Sequence, residues 1–342
     1  MVAIANPLPV DTRMQAGEAF LAADVGGTHV RIALVRGSGN PAQPVSVLEY
    51  RKYACAHYPG LADIVADFIQ SLAGTTVSRG VIASAGFPLE DGTVITANLP
   101  WALAPQHIRE QLGLADFRLV NDFEAVAHAA AHVDASQVMQ LTGPAQAPRG
   151  PILILGPGTG LGAAVWIPTA SHPVVLPTEA GQAALAAGNE LELALLAHLL
   201  KDRTHVPVEH ALSGPGLLNL YQALCALRGA TPRFGAPGDI TAAALEGNDE
   251  LAHETLRVFC ALLGSVVGDM ALLYGIQGGV YLAGGILPQL RQFLVQSDFV
   301  SRFLNKGPMR QALERIPVKL VEHGQLGVIG AASWYLDQND AQ

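Results

Sequence analysis

Charge is scarce in this chain. Asp, Glu, Lys and Arg together make 14% of its 342 residues, with acids in excess to a net charge of −9. No basic run appears, and no basic stripe interleaved with aromatics, so the electrostatic footprint of a nucleic-acid binder is missing. Cysteine is scarce too. Cys55, Cys225 and Cys260 are odd in number and widely spaced. They form neither a metal-ligand spacing nor a disulfide framework, and the expected compartment is a reducing cytoplasm. The N-terminal stretch has no basic segment leading an apolar core, so no secretory signal is expected. Long charge-free runs do occur, as in residues 150–178 and in GIQGGVYLAGGILP. Both are too dense in Gly and Pro for an isolated spanning helix, so a buried, turn-rich sheet is expected and no membrane partner.

What the chain has is apolar mass. Hydrophobic residues are 50% of the total, enough for a large core, and the length suggests two lobes. The stretch FLAADVGGTHVRIALVRG predicts a strand over 20–25, a turn over 26–29 and a second strand over 30–35. A third strand is expected in 45–55, a helix in 61–74, and buried strands in 79–86 and 117–122. The second half repeats this order. ILILGPGTGLGAAVW again reads strand, Gly turn, strand, and helices follow around 189–201, 213–227 (capped by Ser213) and 240–275, the last read as two. A strand over 278–287 runs into Gly284-Gly285, a last strand covers 317–324, and a terminal helix covers 327–336. The chain thus contains two copies of one unit, each opening with a Gly-turned hairpin.

The two turns carry the first chemical signal. In Asp24-Val25-Gly26-Gly27-Thr28 an acid ends a buried strand, and two glycines let backbone N–H groups converge without a Cβ in the way. Asp24 is placed to hold a hydrated Mg²⁺. A type I′ hairpin turn likes the same residues. Gly158-Thr159-Gly160 offers the same tools, and a tight hairpin is again the alternative. Gly284 and Gly285 leave room for a flat ring, or serve a plain strand-to-helix turn. Asn121-Asp122 ends a buried strand just before a helix, where open α/β sheets bind ligands. A carboxylate there can take the proton of an attacking hydroxyl, or merely cap the helix. Asn98, Glu179, Gln182 and Glu209 lie in apolar surroundings and suit sugar hydroxyls, though each can equally be a cap or a solvated surface group.

In this order the segments DVGGTHVRIAL, TANLPWAL, VNDFEAVAHA, GPGTGLGAA, PTEAGQ, EHALSGPGLLNLYQAL and YLAGGILP resemble the bacterial glucokinase family, within the hexokinase and actin-like ATPases. The resemblance covers roughly residues 20–335. It implies an α/β fold of two ribonuclease-H-like lobes with mixed sheets and a cleft between them that closes over the sugar. One lobe would take 18–132 plus the C-terminal helix 325–340, and the other 133–324. It implies ATP-dependent transfer to the 6-hydroxyl of glucose at the entry to glycolysis, with Mg²⁺, in a cytoplasmic homodimer. Matched residue by residue, Ala23, Asp24, Val25, Gly26, Gly27 and Thr28 form the first phosphate loop, and Gly158, Thr159 and Gly160 the second. Gly284 and Gly285 match the adenosine-side turn, and Asp122 the base. Asn121, Asp122, Glu179 and Glu209 match the sugar ligands.

Three departures matter. Where the family has EGGH, this chain has Glu179-Ala180-Gly181-Gln182, so an amide replaces a histidine and Ala180 a glycine. If that glycine needs a left-handed φ, the turn holding Glu179 is altered. The family's TNHTW-like segment reads TANLPW, with Leu99-Pro100 in place of polar neighbours. The base and both phosphate loops are intact, so sugar choice is where this chain is expected to differ. The competing reading is a sugar sensor of weak or altered kinase activity.

Overall fold

The computed structural model describes residues 17–340 apart from 41–42, 73, 90–92, 97–98, 131–132, 134–136, 147, 171–172 and 322–323. The chain divides into two compact units, residues 1–132 with 325–342, and 133–324.

The first unit opens with β1 (Ala19–Val25), β2 (His29–Gly37) and β3 (Val45–Ala54), an antiparallel meander. Then come α1 (Leu61–Ser71), β4 (Arg79–Ser84), the two-residue strands β5 (Phe87–Pro88) and β6 (Val94–Ile95), α2 (Pro105–Gln111), β7 (Asp116–Asn121) and α3 (Asp122–Ala130). The sheet order is β3-β2-β1-β4-β7, with β4 parallel to both β1 and β7. Alternation along β1 and β2 splits the core in two, as period-2 side-chain direction requires. Leu21, Ala23, Val30 and Ile32 join Ile64, Val65 and Phe68 of α1 on one face. Phe20, Ala22, Ala33 and Val35 lie on the other, against Val328, Ala331, Ala332 and Tyr335. Those last four belong to the final helix of the chain (Leu326–Asp340), which returns to this unit after the whole of the second.

The second unit runs β8 (Val138–Thr142), β9 (Ile152–Pro157), β10 (Leu161–Ile167), β11 (Val174–Thr178), α4 (Glu190–Leu199), α5 (Gly214–Leu227), α6 (Pro237–Leu245), α7 (Glu250–Leu273), β12 (Gly279–Leu282), α8 (Arg291–Gln296), α9 (Phe299–Leu304), α10 (Arg310–Leu313) and β13 (Val318–Val321). The final helix is then α11. Its sheet order, β11-β10-β9-β12-β13-β8, repeats the first with β8 added antiparallel at one edge. The duplication expected from the two Gly-turned hairpins is therefore present at the level of strand order and direction.

The helices expected around 189–201, 213–227 and 240–275 are α4, α5 and the α6–α7 pair. Gly264 and Gly268 of α7 are where α9 approaches: a Cβ at Gly264 would stand 2.2 Å from the Phe299 carbonyl oxygen. Among the described residues α7 is the helix long and apolar enough to cross a bilayer, and 72% of that apolar window is inside the protein core. Strands β5, β6, β8 and β11 had no counterpart in the sequence reading. They are short or half-exposed, and β11 has no buried position at all.

Candidate functional site

In the first unit the C-terminal ends of β1, β4 and β7 gather the candidate residues. Sheet register sets Val25 beside Ser84 and Ser84 beside Asn121. The turn Gly26–Thr28 is held from behind through its acceptors. Cys55 donates its backbone N–H to the Thr28 carbonyl (2.9 Å) and its thiol to the Gly26 carbonyl (3.3 Å). That leaves the N–H groups of Gly27 and Thr28 as donors for a ligand. None of these residues takes a left-handed φ, so the turn is not the type I′ hairpin that Asp and Gly also allow.

Asp24 faces α11. Its Oδ2 accepts from Arg31 Nη1 at 3.0 Å, directly across the β1–β2 ladder. Burial pushes the Asp24 carboxyl above its ordinary range, and the Arg31 charge and hydrogen bond oppose that rise. The start of α11 is so close that a Cβ at Gly327 would stand 2.6 Å from Asp24 Cγ.

Asn121 and Asp122 divide the work at the start of α3. Asn121 Oδ1 accepts from the N–H groups of Phe123 (3.0 Å) and Glu124 (3.1 Å), so Asn121 is the cap. Its Nδ2 remains as a donor. Asp122 is the first helical residue, half-buried, with Oδ1 accepting from the Phe123 N–H at 2.9 Å. A carboxylate there is favoured by the helix dipole. Helix α3 is fixed along its length by α11. Trp334 Nε1 donates to Glu124 Oε1 (3.0 Å), and His128 Nδ1 lies 3.2 Å from Asp337 Oδ2. Burial raises the Glu124 pKa, while the Trp334 bond and nearby His128 lower it. Between these pairs the backbones nearly touch: a Cβ at Gly330 would stand 1.8 Å from the Ala125 carbonyl oxygen.

In the second unit the turn Gly158–Gly160 links β9 to β10. Gly158 N–H donates to the Gly160 carbonyl (2.7 Å), and the Gly158 carbonyl accepts from Gly214 N–H (2.8 Å) at the start of α5. The N–H groups of Thr159 and Gly160 remain for a ligand, beside the positive end of a fourteen-residue helix. Ser213 caps that helix, accepting from Gly216 N–H at 2.9 Å and donating to the Glu209 carbonyl at 2.7 Å. Gly284 lies against the same strand end. Its φ is +92°, and a Cβ would stand 2.7 Å from the Pro157 carbonyl oxygen, so only glycine fits. Gly285 opens on free space.

Glu209 is not a solvated surface acid. Its Oε2 accepts from Leu161 N–H at 3.2 Å, and its Oε1 accepts from Gln182 Nε2 at 2.7 Å. The structure therefore brings Gln182 and Glu209 together beside the second turn. Glu179 is the exposed residue before the 3₁₀ turn Ala180–Gln182. Ala180 is buried, and no residue other than glycine takes a positive φ among the described residues. This position therefore does not need a glycine's conformation. Gly181 is the constrained one, since a Cβ there would stand 2.4 Å from the Leu161 carbonyl oxygen. His205, which the sequence reading passed over, lies with Nε2 3.0 Å from the Gln182 carbonyl oxygen. Its isolated position in a polar stretch gave no signal. Asn98 lies outside the described residues. Leu99 and Trp101 after it pack on the core of the first unit, which accounts for an apolar residue at 99.

No three His, Cys, Asp or Glu side chains cluster as metal ligands among the described residues. Mg²⁺ commonly keeps several waters and binds one or two carboxylates plus substrate phosphates, so it needs no such cluster. Asp24, with Oδ2 committed to Arg31 and Oδ1 remaining, fits a water-mediated contact.

The chain matches the family described as Glucokinase over residues 21–338. A "Glucokinase-like protein" of Xylella fastidiosa (strain 9a5c) is 58% identical over 319 residues, covering 93% of this chain and 95% of the relative. A glucokinase of Saccharophagus degradans is 37% identical, covering 93% and 98%. The crystal structure of a glucokinase from an Antarctic psychrotroph superposes with a TM-score of 0.81 at 34% identity, covering 93% and 99%.

Proposed function

This chain belongs to the glucokinase family of sugar kinases, and from that premise we propose that it transfers the γ-phosphoryl group of ATP to the 6-hydroxyl of glucose. The observation that carries the reading is Asp122. Asn121 caps α3 through its Oδ1, and next to it Asp122 sets a half-buried carboxylate where β7 ends and α3 begins. Asp122 accepts the proton of the sugar hydroxyl as its oxygen attacks phosphorus. The free N–H groups of Gly27, Thr28, Thr159 and Gly160 bind phosphate oxygens, where they stabilise the charge that spreads over the transferring group. Gly284 and Gly285 border the adenosine. Asn98, Asn121, Asp122, Glu179, Gln182 and Glu209 hold sugar hydroxyls, each as a hydrogen-bond partner. Asp24 would hold Mg²⁺ through water, and the ion would offset phosphate charge when bound.

The test is a coupled ADP-release assay across a hexose panel, with Asp122→Asn as control. Glucose-dependent release that the control abolishes is expected. Release without any sugar, or unchanged in the variant, overturns the assignment. Sugar binding without turnover favours a sensor, a reading for which the Xylella relative's name, glucokinase-like, leaves room.

A further inference from the structure

A cavity of about 460 Å³ lies within the second unit. Ala271, Leu272 and Ile276 wall it from the end of α7, and Met309, Leu313 and Ile316 from the segment that carries α10. It sits where β9, β12 and β13 begin, since Pro148, Gln277 and Ile316 of its lining each precede one of those parallel strands. The Gly158–Gly160 turn and Gly284 follow the other ends of β9 and β12. The cavity shares no residue with the phosphate, nucleotide or sugar positions described above.

Local geometry keeps its walls apolar. Helix α7 closes with Gly275 at φ +61°, Ile276 N–H donating to the Ala271 carbonyl (2.9 Å) and Gly275 N–H to the Leu272 carbonyl (3.3 Å). These bonds occupy carbonyls that the last helical turn would otherwise present. Ala271, Ile276, Leu313 and Ile316 are buried, whereas Met309 and Ala312 are exposed at the mouth. No lining residue is aromatic and none is acidic. Two carry polar side chains, Gln277 and Arg315. Arg315 is exposed, and its guanidinium has no ion pair among the described residues; its neighbour Glu314 is held by Arg310 at 2.8 Å.

The volume falls in the range of small-molecule sites, about 300–1,000 Å³. Aliphatic walls with a methionine at the mouth suit a flexible chain better than a flat ring. An arginine as the lone charge of the lining, on a chain of net charge −9, favours one anionic head. We propose that this cavity binds a medium-chain carboxylate, its alkyl chain inside and its head on Arg315. Gln277 supplies a second donor at the same edge. The proposal stands apart from the sugar-kinase reading.

The experiment is calorimetry on the full chain with decanoate, octanoate, decanol and decylamine. One decanoate is expected to bind per chain. Octanoate should bind about tenfold more weakly, since each buried methylene is worth roughly fourfold. Decanol should bind about fivefold more weakly than decanoate, the upper end for a charge pair open to water. Arg315→Gln should weaken decanoate by the same factor and leave decanol within about twofold, and Arg315→Lys should recover most of the loss. Ala312→Trp fills the mouth from an exposed position and should abolish decanoate binding, with thermal unfolding near the parent's. The proposal is overturned if decanoate does not bind saturably, if decylamine binds as tightly, or if Arg315→Gln leaves decanoate binding unchanged. Phosphatidylglycerol vesicles that sediment the chain when free decanoate does not bind would make the face a membrane contact and overturn it too. So would an Ala312→Trp chain whose mass in sedimentation differs from the parent's, which would make the face an interface between copies. Calorimetry decides this proposal whether or not the chain releases ADP, so it and the kinase reading fail separately.

Discussion

The two units share a five-strand order and a Gly-turned hairpin at the same place in it, yet they have filled that place differently. The first turn is preceded by a half-buried carboxylate paired with an arginine, and its neighbouring strand end carries a second half-buried acid at a helix start. The second turn has no charge in it. Its acid, Glu209, arrives from a separate segment and is tied to the turn through Leu161. The anchoring differs as well. The first unit relies on a helix, α11, whose glycines and side chains press on both Asp24 and α3. The second relies on short backbone stitches and a helix cap. Duplication supplies the strand order and the Gly turn twice, and each copy has set its acid beside the turn in its own way.

The comparison breaks first at Asp122. Asp122→Asn should lower kcat by roughly 10²–10⁴ in the ADP-release assay, while thermal unfolding stays near the parent, since the Asn121 cap remains. If the variant keeps its rate, the first copy is not the reactive one. Next comes the anchoring helix. Gly330→Ala forces a methyl against the Ala125 carbonyl and should cost about 1–3 kcal/mol in urea unfolding. Gly158→Ala, where no atom lies within 4 Å, should stay within about 0.5 kcal/mol and show its effect in the KM for ATP. Ser213→Ala tests the second unit's cap and should cost about 1 kcal/mol. The smallest expected effect is a shift in pH dependence. Arg31 lowers an Asp24 pKa that burial raises. Arg31→Met removes the lowering influence, so Asp24 stays protonated to higher pH. The acidic limb of the pH–rate profile should move upward, and an unmoved limb would show that the Asp24 charge is not needed.

Much of this was legible in the residues because it is local. Both hairpins, the Ser213 cap and the α6–α7 pair follow from spacing and turn chemistry within a few positions. Asn121 and Asp122 could not be told apart as caps that way, because either side chain suits a helix start, and only the hydrogen bonds to Phe123 and Glu124 show Asn121 as the cap. The concern over Ala180 also needed backbone angles, which remove it, while the constraint at Gly181 is one of space, set by the Leu161 carbonyl. Gln182 and Glu209 are 27 positions apart, and Glu124 and Trp334 are 210 apart. No periodicity reaches across such gaps. Strand β11 escaped notice because a sheet edge with half-exposed residues leaves no alternating pattern.

The placement of α11 sets an order of events during synthesis. Phe20, Ala22 and Val35 are made before any residue of the second unit, and part of their cover is Val328, Ala331, Ala332 and Tyr335. Those emerge from the ribosome only after every residue of the second unit. The second unit can close on itself as it appears, whereas the first must hold an uncovered sheet face until the last helix arrives. A nascent chain halted before residue 326 would therefore carry an exposed apolar surface beside an otherwise folded partner, the kind of species that chaperones hold and proteases remove.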